Sequence, residues 1–379
     1  MSEKYDLLIR AGRIVCPASG LDSAGAVAVR GDRIAAIGPA VNAQARQVLD
    51  FPDGICLPGL IDLHAHPACS GSRFGIDPDR HMLARGTTTV LSQGDAGADN
   101  CDAFIRETVE QSRTGVMLAI NLGSRGEAGP GGCFEDLETA DVAACVRAID
   151  QFRANIWGIG VNASHHCWGR TDPREVVRRG LLAAGQTGLP ILYGMRRPED
   201  WPLDQQLALL RPGDLVTYCF RRTPHCIVQN ERVLTAVREA RSRGILFDVG
   251  HGRGSFDFTV AEAALHDGFE PDTISTDLQR AHLGQTPIHD LPLVMSKLRA
   301  AGMPELRVFA SVTSRPATIL RQSDEIGTLR IGSRADLTLL RWQDSGEPLV
   351  DAHDQARTSC RWQAIATILA GQHVAALMD

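Results

Sequence analysis

The chain has 379 residues, 44% of them apolar and 22% charged, with a formal charge of −6. That length suits one large barrel with an appended module or two to three average domains. The mild negative charge, without a basic block or acidic tail, argues against a general electrostatic role on nucleic acid or at a membrane surface. No apolar run reaches transmembrane length, and the start MSEKYDLLIRAGRIV lacks the basic-then-apolar order of a signal peptide, so a cytoplasmic location is expected.

The first fifty residues read as short strands separated by glycine turns: DLLIRAGRIV, AVAVRGDRIAAIG and RQVLDFP. From residue 58 the pattern changes. Strand-like runs GLIDLHAH, TTTVLSQ, GVMLAINLG, IWGIGVN, LPILYG, DLVTYCF, ILFDVG and DTISTD alternate with helical stretches such as REVVRRGLLAAGQ and VLTAVREARSRG. Eight strands alternating with helices predict an α/β fold, a (β/α)₈ TIM-like barrel over 58–325. After a helix at ATILRQ, the segments IGTLRIGSRADLTLLRW and AIATILAGQHV return to strand character. Residues 1–57 and 326–379 are therefore expected to build one composite β-sandwich domain.

Ten cysteines are scattered with no CxxC pair, which speaks for thiols in a reducing compartment. Cys167 in SHHCWG, and Cys219 and Cys226 in YCFRRTPHC, stand beside histidines. A soft-metal site there is an option, although the spacing fits no zinc ribbon or finger.

In a barrel of this kind catalytic side chains sit at the carboxyl ends of the strands. The rule picks out His64 and His66 after the first strand, Asp95 past the second, Asn162 after the fourth, Tyr193 after the fifth, Tyr218 after the sixth, His251 after the seventh and Asp277 at the eighth. Side chains at i and i+2 leave a strand on one face, so His64 and His66 form a chelating pair in shape, or else two ordinary half-buried histidines.

PGLIDLHAHP at the first strand, GTTTV at the second, FDVGHGRGSF and PDTISTDL late in the barrel, and IGTLRIGSRADLTLL at the return to the β module resemble the amidohydrolase superfamily, in particular dihydroorotase-like amidohydrolases and deacetylases. The resemblance runs over nearly the whole length. It implies a metal centre built from the HxH pair, a carboxylated lysine from the fourth strand, a histidine each from the fifth and sixth, and an aspartate from the eighth. His64, His66 and Asp277 match; the other three positions hold Gly160, Tyr193 and Tyr218.

Three readings follow. One divalent ion, expected to be zinc, is held by His64, His66 and Asp277, with Asp95, His165 or His225 as candidates for a fourth ligand and Asp277 moving the proton. Alternatively hydrolysis runs without metal, as in lactonases, with Tyr193 and Tyr218 donating to a carbonyl oxygen while Asp277 or a histidine activates water; these tyrosines could equally be packing residues. In the third, the barrel is a catalytically inactive binding protein. Arg196, Arg197, Arg221, Arg222 and Arg280 crowd the same face and suit a small carboxylate-bearing substrate, or are solvated loop charge. Asn162 and His251 are further substrate-binding candidates, and GEAGPGG (126–132) reads as a flexible lid. The partner expected is a small-molecule substrate, not nucleic acid or membrane; assembly into a homo-oligomer is left open.

Overall fold

The computed structural model describes residues 5–39, 41, 44–164, 167–169, 171–195, 201–222 and 226–374. Four strands open the chain: β1 (Tyr5–Cys16), β2 (Leu21–Arg30), β3 (Arg33–Gly38) and β4 (Ala45–Pro58). Gly59 then turns the chain into β5 (Leu60–Ala65), where a Cβ at residue 59 would stand 2.2 Å from Thr88 Oγ1, so no larger residue fits the crossing. β6 (Thr87–Ser92), β7 (Gly115–Asn121), β8 (Ile156–Asn162), β9 (Ile191–Gly194) and β10 (Leu215–Thr217) follow. A small hairpin, β11 (Val228–Gln229) and β12 (Arg232–Val233), precedes β13 (Leu246–Phe247), and β14 (Leu337–Asp344), β15 (Cys360–Leu369) and β16 (Gln372–Val374) close the chain.

β5 to β10 and β13 form one parallel sheet in the order β13-β10-β9-β8-β7-β6-β5. Every residue of β5, β6 and β8 is buried, the mark of parallel strands covered on both faces. The eighth position belongs to residues 273–278. Asp248 bridges Thr273 on one side and Ala65 bridges Leu278 on the other. Asp277 N–H donates to His64 O at 2.7 Å and His66 N–H to Leu278 O at 3.0 Å, which closes the ring. Helices fill the crossovers as the sequence predicts. Pro173–Thr187 starts behind Asp172, whose carboxylate accepts from Arg174 N–H, with proline in the first turn, and stops at Gly188 in the left-handed conformation. Among the described residues no helix is long and apolar enough to cross a membrane.

Both chain ends meet in a second sheet, order β16-β15-β14-β4-β1-β2-β3. It is a single hydrogen-bonded sheet, antiparallel except for the β1–β4 pair and irregular in register along β1, β2 and β14. Its own apolar core gathers Leu7, Ile9, Val27, Val29, Leu337, Leu339 and Ile368. Contacts such as Thr338 Oγ1–H to Gly86 O at 2.6 Å and Trp362 N–H to Ser296 Oγ at 2.9 Å tie it to the barrel.

Candidate active site

The strand period places Asp62, His64 and His66 on one face of the first strand, and all three are buried. His64 Nε2 lies 3.5 Å and His66 Nε2 3.2 Å from Asp277 Oδ1. The first and eighth strands thus bring together the three residues the sequence singled out. Asp62 locks this closure: its carboxylate accepts from Thr276 Oγ1–H at 2.6 Å, Thr276 N–H at 3.2 Å and His64 N–H at 3.1 Å.

Hydrogen bonds behind the imidazoles assign their protons. Thr217 Oγ1 donates to Asp248 Oδ2 at 2.9 Å, so it accepts from His64 Nδ1–H at 2.8 Å. Asp95 Oδ1 accepts from His66 Nδ1–H at 2.9 Å. Unprotonated, both Nε2 atoms would turn lone pairs toward Asp277 Oδ1, with the Gln93 side-chain amide 3.2 Å from His66 Nε2 and the Tyr218 hydroxyl 3.4 Å from His64 Nε2 as the neighbouring donors. Three acceptors facing one point repel unless a cation or extra protons sit between them. Burial opposes charge on the imidazoles, but Asp277 and Asp248 push His64 up to about 9, and Asp95 and Asp277 push His66 up to about 10. Burial likewise works to raise Asp277, yet the two histidines outweigh it and hold its carboxyl well below the usual carboxylate range. Two imidazole nitrogens and one carboxylate oxygen, the imidazoles held from behind by oxygen acceptors, fit a single divalent ion of the zinc type.

Asp95 stands behind His66, not beside it as a fourth ligand. Its carboxylate is taken up by His66, by Ser72 Oγ at 2.5 Å and by Ser92 Oγ at 2.6 Å. Tyr218 does reach the pair, with its hydroxyl 3.4 Å from His64 Nε2, Asn162 Nδ2 donating to it at 3.4 Å and the Arg221 guanidinium 4.4 Å above its ring. Burial and the charge of Asp277 push the Tyr218 phenol well up, so it stays a neutral donor. Tyr218 and Asp277 both adopt the left-handed region, at φ 68° and 49°, which non-glycine residues largely avoid. Tyr193 is also buried, but its hydroxyl donates to Gln206 Oε1 at 2.7 Å, and Gln206 Nε2–H donates onward to Trp201 O at 2.8 Å. At Gly160 a Cβ would meet Ala119 O at 3.4 Å, an ordinary contact, so the missing side chain is not imposed by crowding of the backbone.

Arg221 is buried beside Tyr218, with Nη1–H donating to Met195 O at 3.1 Å and Nη2–H to Ser255 Oγ at 3.3 Å. Arg280 is exposed and donates to Gly75 O at 3.1 Å, whereas Arg222 pairs with Asp257 at 3.6 Å. His251 donates from Nδ1 to Gly252 O at 2.8 Å and accepts from Lys297 Nζ at 3.0 Å. Burial and the Lys297 charge hold that imidazole neutral. Next to it, Gly252 has φ 52° and a Cβ there would lie 2.6 Å from Asp277 Oδ2, so the loop backbone can close against the carboxylate. His165, His225, Arg196 and Arg197 lie outside the described residues. Sequence reasoning missed Asp62, Thr217, Asp248 and Lys297. A carboxylate inside an apolar strand, as in GLIDL and ILFDVG, was the available signal for the two aspartates.

No family model matches the chain. It is 32% identical over 359 residues to a deacetylase of Agrobacterium fabrum, covering 92% of this chain and 86% of that protein. A crystal structure of an adenine deaminase superposes with a TM-score of 0.88 at 27% identity, covering 98% of this chain and 100% of the other. A dihydroorotase crystal structure gives 0.87 at 29% identity, covering 98% and 99%. The chain belongs to the amidohydrolase superfamily, as an amidohydrolase-type enzyme of the deacetylase- and dihydroorotase-like kind.

Proposed function

We propose that the protein hydrolyses an amide, cyclic amide or related ester bond of a small, carboxylate-bearing substrate with the help of one divalent ion, zinc in the first instance, held by His64, His66 and Asp277. The observation that carries this reading is the convergence of His64 Nε2 and His66 Nε2 on Asp277 Oδ1, at 3.5 and 3.2 Å. A bound ion of this type supplies Lewis acidity and lowers the pKa of its water toward neutrality. Asp277, ionised across the working range, takes the proton of the attacking water and passes it to the leaving nitrogen or oxygen. The Tyr218 hydroxyl donates to the carbonyl oxygen as charge develops there. Asn162 holds that hydroxyl, and Arg221, buried against the same ring, faces the substrate carboxylate. Tyr193 supports the wall through Gln206.

A second reading, hydrolysis without metal, is favoured by the raised proton affinity of His64 and His66, since an imidazolium pair at this point would also polarise a carbonyl. One experiment separates the two. Protein purified without a histidine tag is assayed for metal and screened on N-acyl amino acids, cyclic amides and lactones before and after chelation. Activity that follows one bound equivalent at this centre supports the ion-assisted reading; activity that survives complete chelation refutes it in favour of the second. No turnover of any of these substrates by metal-loaded protein refutes both.

A further inference from the structure

From the geometry of two neighbouring loops we infer that Glu127, Cys133 and Cys167 form a second site for a divalent, thiophilic cation of the zinc type, separate from the ion proposed at His64, His66 and Asp277. One ligand atom from each of the three lies within 4.8 Å of the others. Glu127 and Cys133 come from the loop after β7, and Cys167 from the loop after β8. Phe134 N–H donates to Cys167 O at 2.8 Å, and the Phe134 and Trp168 rings pack at 5.4 Å, so the residues next to both cysteines are tied across the two loops. Glu127 is anchored by its own backbone: its N–H donates to Asp95 O at 3.1 Å and its carbonyl accepts from Arg73 N–H at 3.0 Å. The segment expected to serve as a lid therefore sends a buried carboxylate inward.

The surroundings suit a cation. Glu127 is 2% exposed, and its ion pair with Arg73 Nη2 is long, 3.5 Å. Burial pushes the Glu127 carboxyl up, and the hydrogen bond with Cys133 together with burial pushes the Cys167 thiol well up, so ionising these two buried groups calls for a countercharge. Two thiolates and one carboxylate around a dication leave one net negative charge, which Arg73 matches. Thiolate sulfur selects zinc over magnesium or calcium. The cluster also borders the centre proposed above: Glu127 N–H donates to the carbonyl of Asp95, whose carboxylate accepts from His66 Nδ1–H. Three protein ligands leave a fourth position for water or a substrate group.

The test uses the full-length protein prepared under reducing conditions, stripped and reloaded with Co²⁺ or Zn²⁺. The expected result is a thiolate-to-cobalt charge-transfer band that persists in a His64→Ala/His66→Ala variant and disappears, with one equivalent of metal, in Cys133→Ser and Cys167→Ser. Persistence in the first variant makes the outcome independent of the centre proposed above. In the unmutated protein, Zn²⁺ should also protect Cys133 from alkylation while leaving the exposed Cys69 unchanged, a readout that needs no variant to fold. A missing cobalt–thiolate band, unchanged alkylation of Cys133 on loading, or a Cys133–Cys167 disulfide in protein isolated anaerobically would each overturn the inference.

Discussion

Between pH 6 and pH 8 the affinity of the His64–His66–Asp277 centre for a divalent ion should climb about a hundredfold per pH unit. Without a cation, His64 and His66, pushed up to about 9 and about 10, each hold a proton on Nε2 across this range, whereas Asp277 is already ionised. An ion that takes both Nε2 lone pairs must displace both protons, so the logarithm of the affinity rises with slope two until pH approaches the histidine values. Each unit then corresponds to about 2.7 kcal/mol, twice the roughly 1.36 kcal/mol of a one-proton exchange. The sign for the metal-free fold is opposite. The histidine protons stabilise it fully below the unfolded value of about 6.5, and that contribution is lost as pH rises through about 9 to about 10. Competition titrations against a chelator of known proton affinity give the slope in a Cys133→Ser/Cys167→Ser background, and calorimetry in buffers of different ionisation enthalpy counts the protons. A slope near zero, or one unchanged by His64→Ala, would refute the assignment of the lone pairs.

Four substitutions separate the roles of the surrounding groups. Asp277→Asn keeps a side chain that tolerates φ 49° while removing the proton carrier, so kcat should fall about 10²- to 10⁴-fold with the fold retained by circular dichroism. Tyr218→Phe should lower kcat about 10²- to 10³-fold with little change in melting temperature, whereas Tyr193→Phe, which removes the hydrogen bond to Gln206, should cost about 0.5 to 1.5 kcal/mol of stability in urea titrations and spare kcat; the reverse pattern would exchange the two tyrosines. Asp95→Asn should weaken metal affinity about 10- to 100-fold, measured by the same chelator competition, since it disturbs the group that orients His66. Asp62 is buried and pushed up to about 7, so the fold carries a growing penalty as pH rises from about 4 to about 7. Asp62→Asn should flatten that part of the stability profile, and urea midpoints at pH 5 and pH 8 that move together in parent and variant would refute it.

How far the site could be read in the amino-acid sequence depends on how far apart its parts lie in the fold. His64 and His66 are two residues apart on one strand, so period-two geometry alone aims them together, and alternation of strand and helix carried Asp277 to the eighth strand end. Cross-strand partners follow no such rule. Asp95 leaves the second strand only a few residues past its end, and nothing in SQGDAG distinguishes a ligand from the acceptor of a ligand's proton; the bonds from Ser72 and Ser92 decide it. Tyr193 and Tyr218 look alike at the ends of adjacent strands, yet one hydroxyl reaches His64 and the other Gln206, because the left-handed backbone at residue 218 turns that side chain differently from its neighbour's. Thr217 and Asp248 reach His64 from the sixth and seventh strands, at separations of 153 residues for Thr217 and 31 between the two, distances over which periodicity carries no information. What a single strand presents is legible from its residues, whereas the proton held behind each imidazole depends on which strand lies beside it, and the chemistry of the centre turns on that proton.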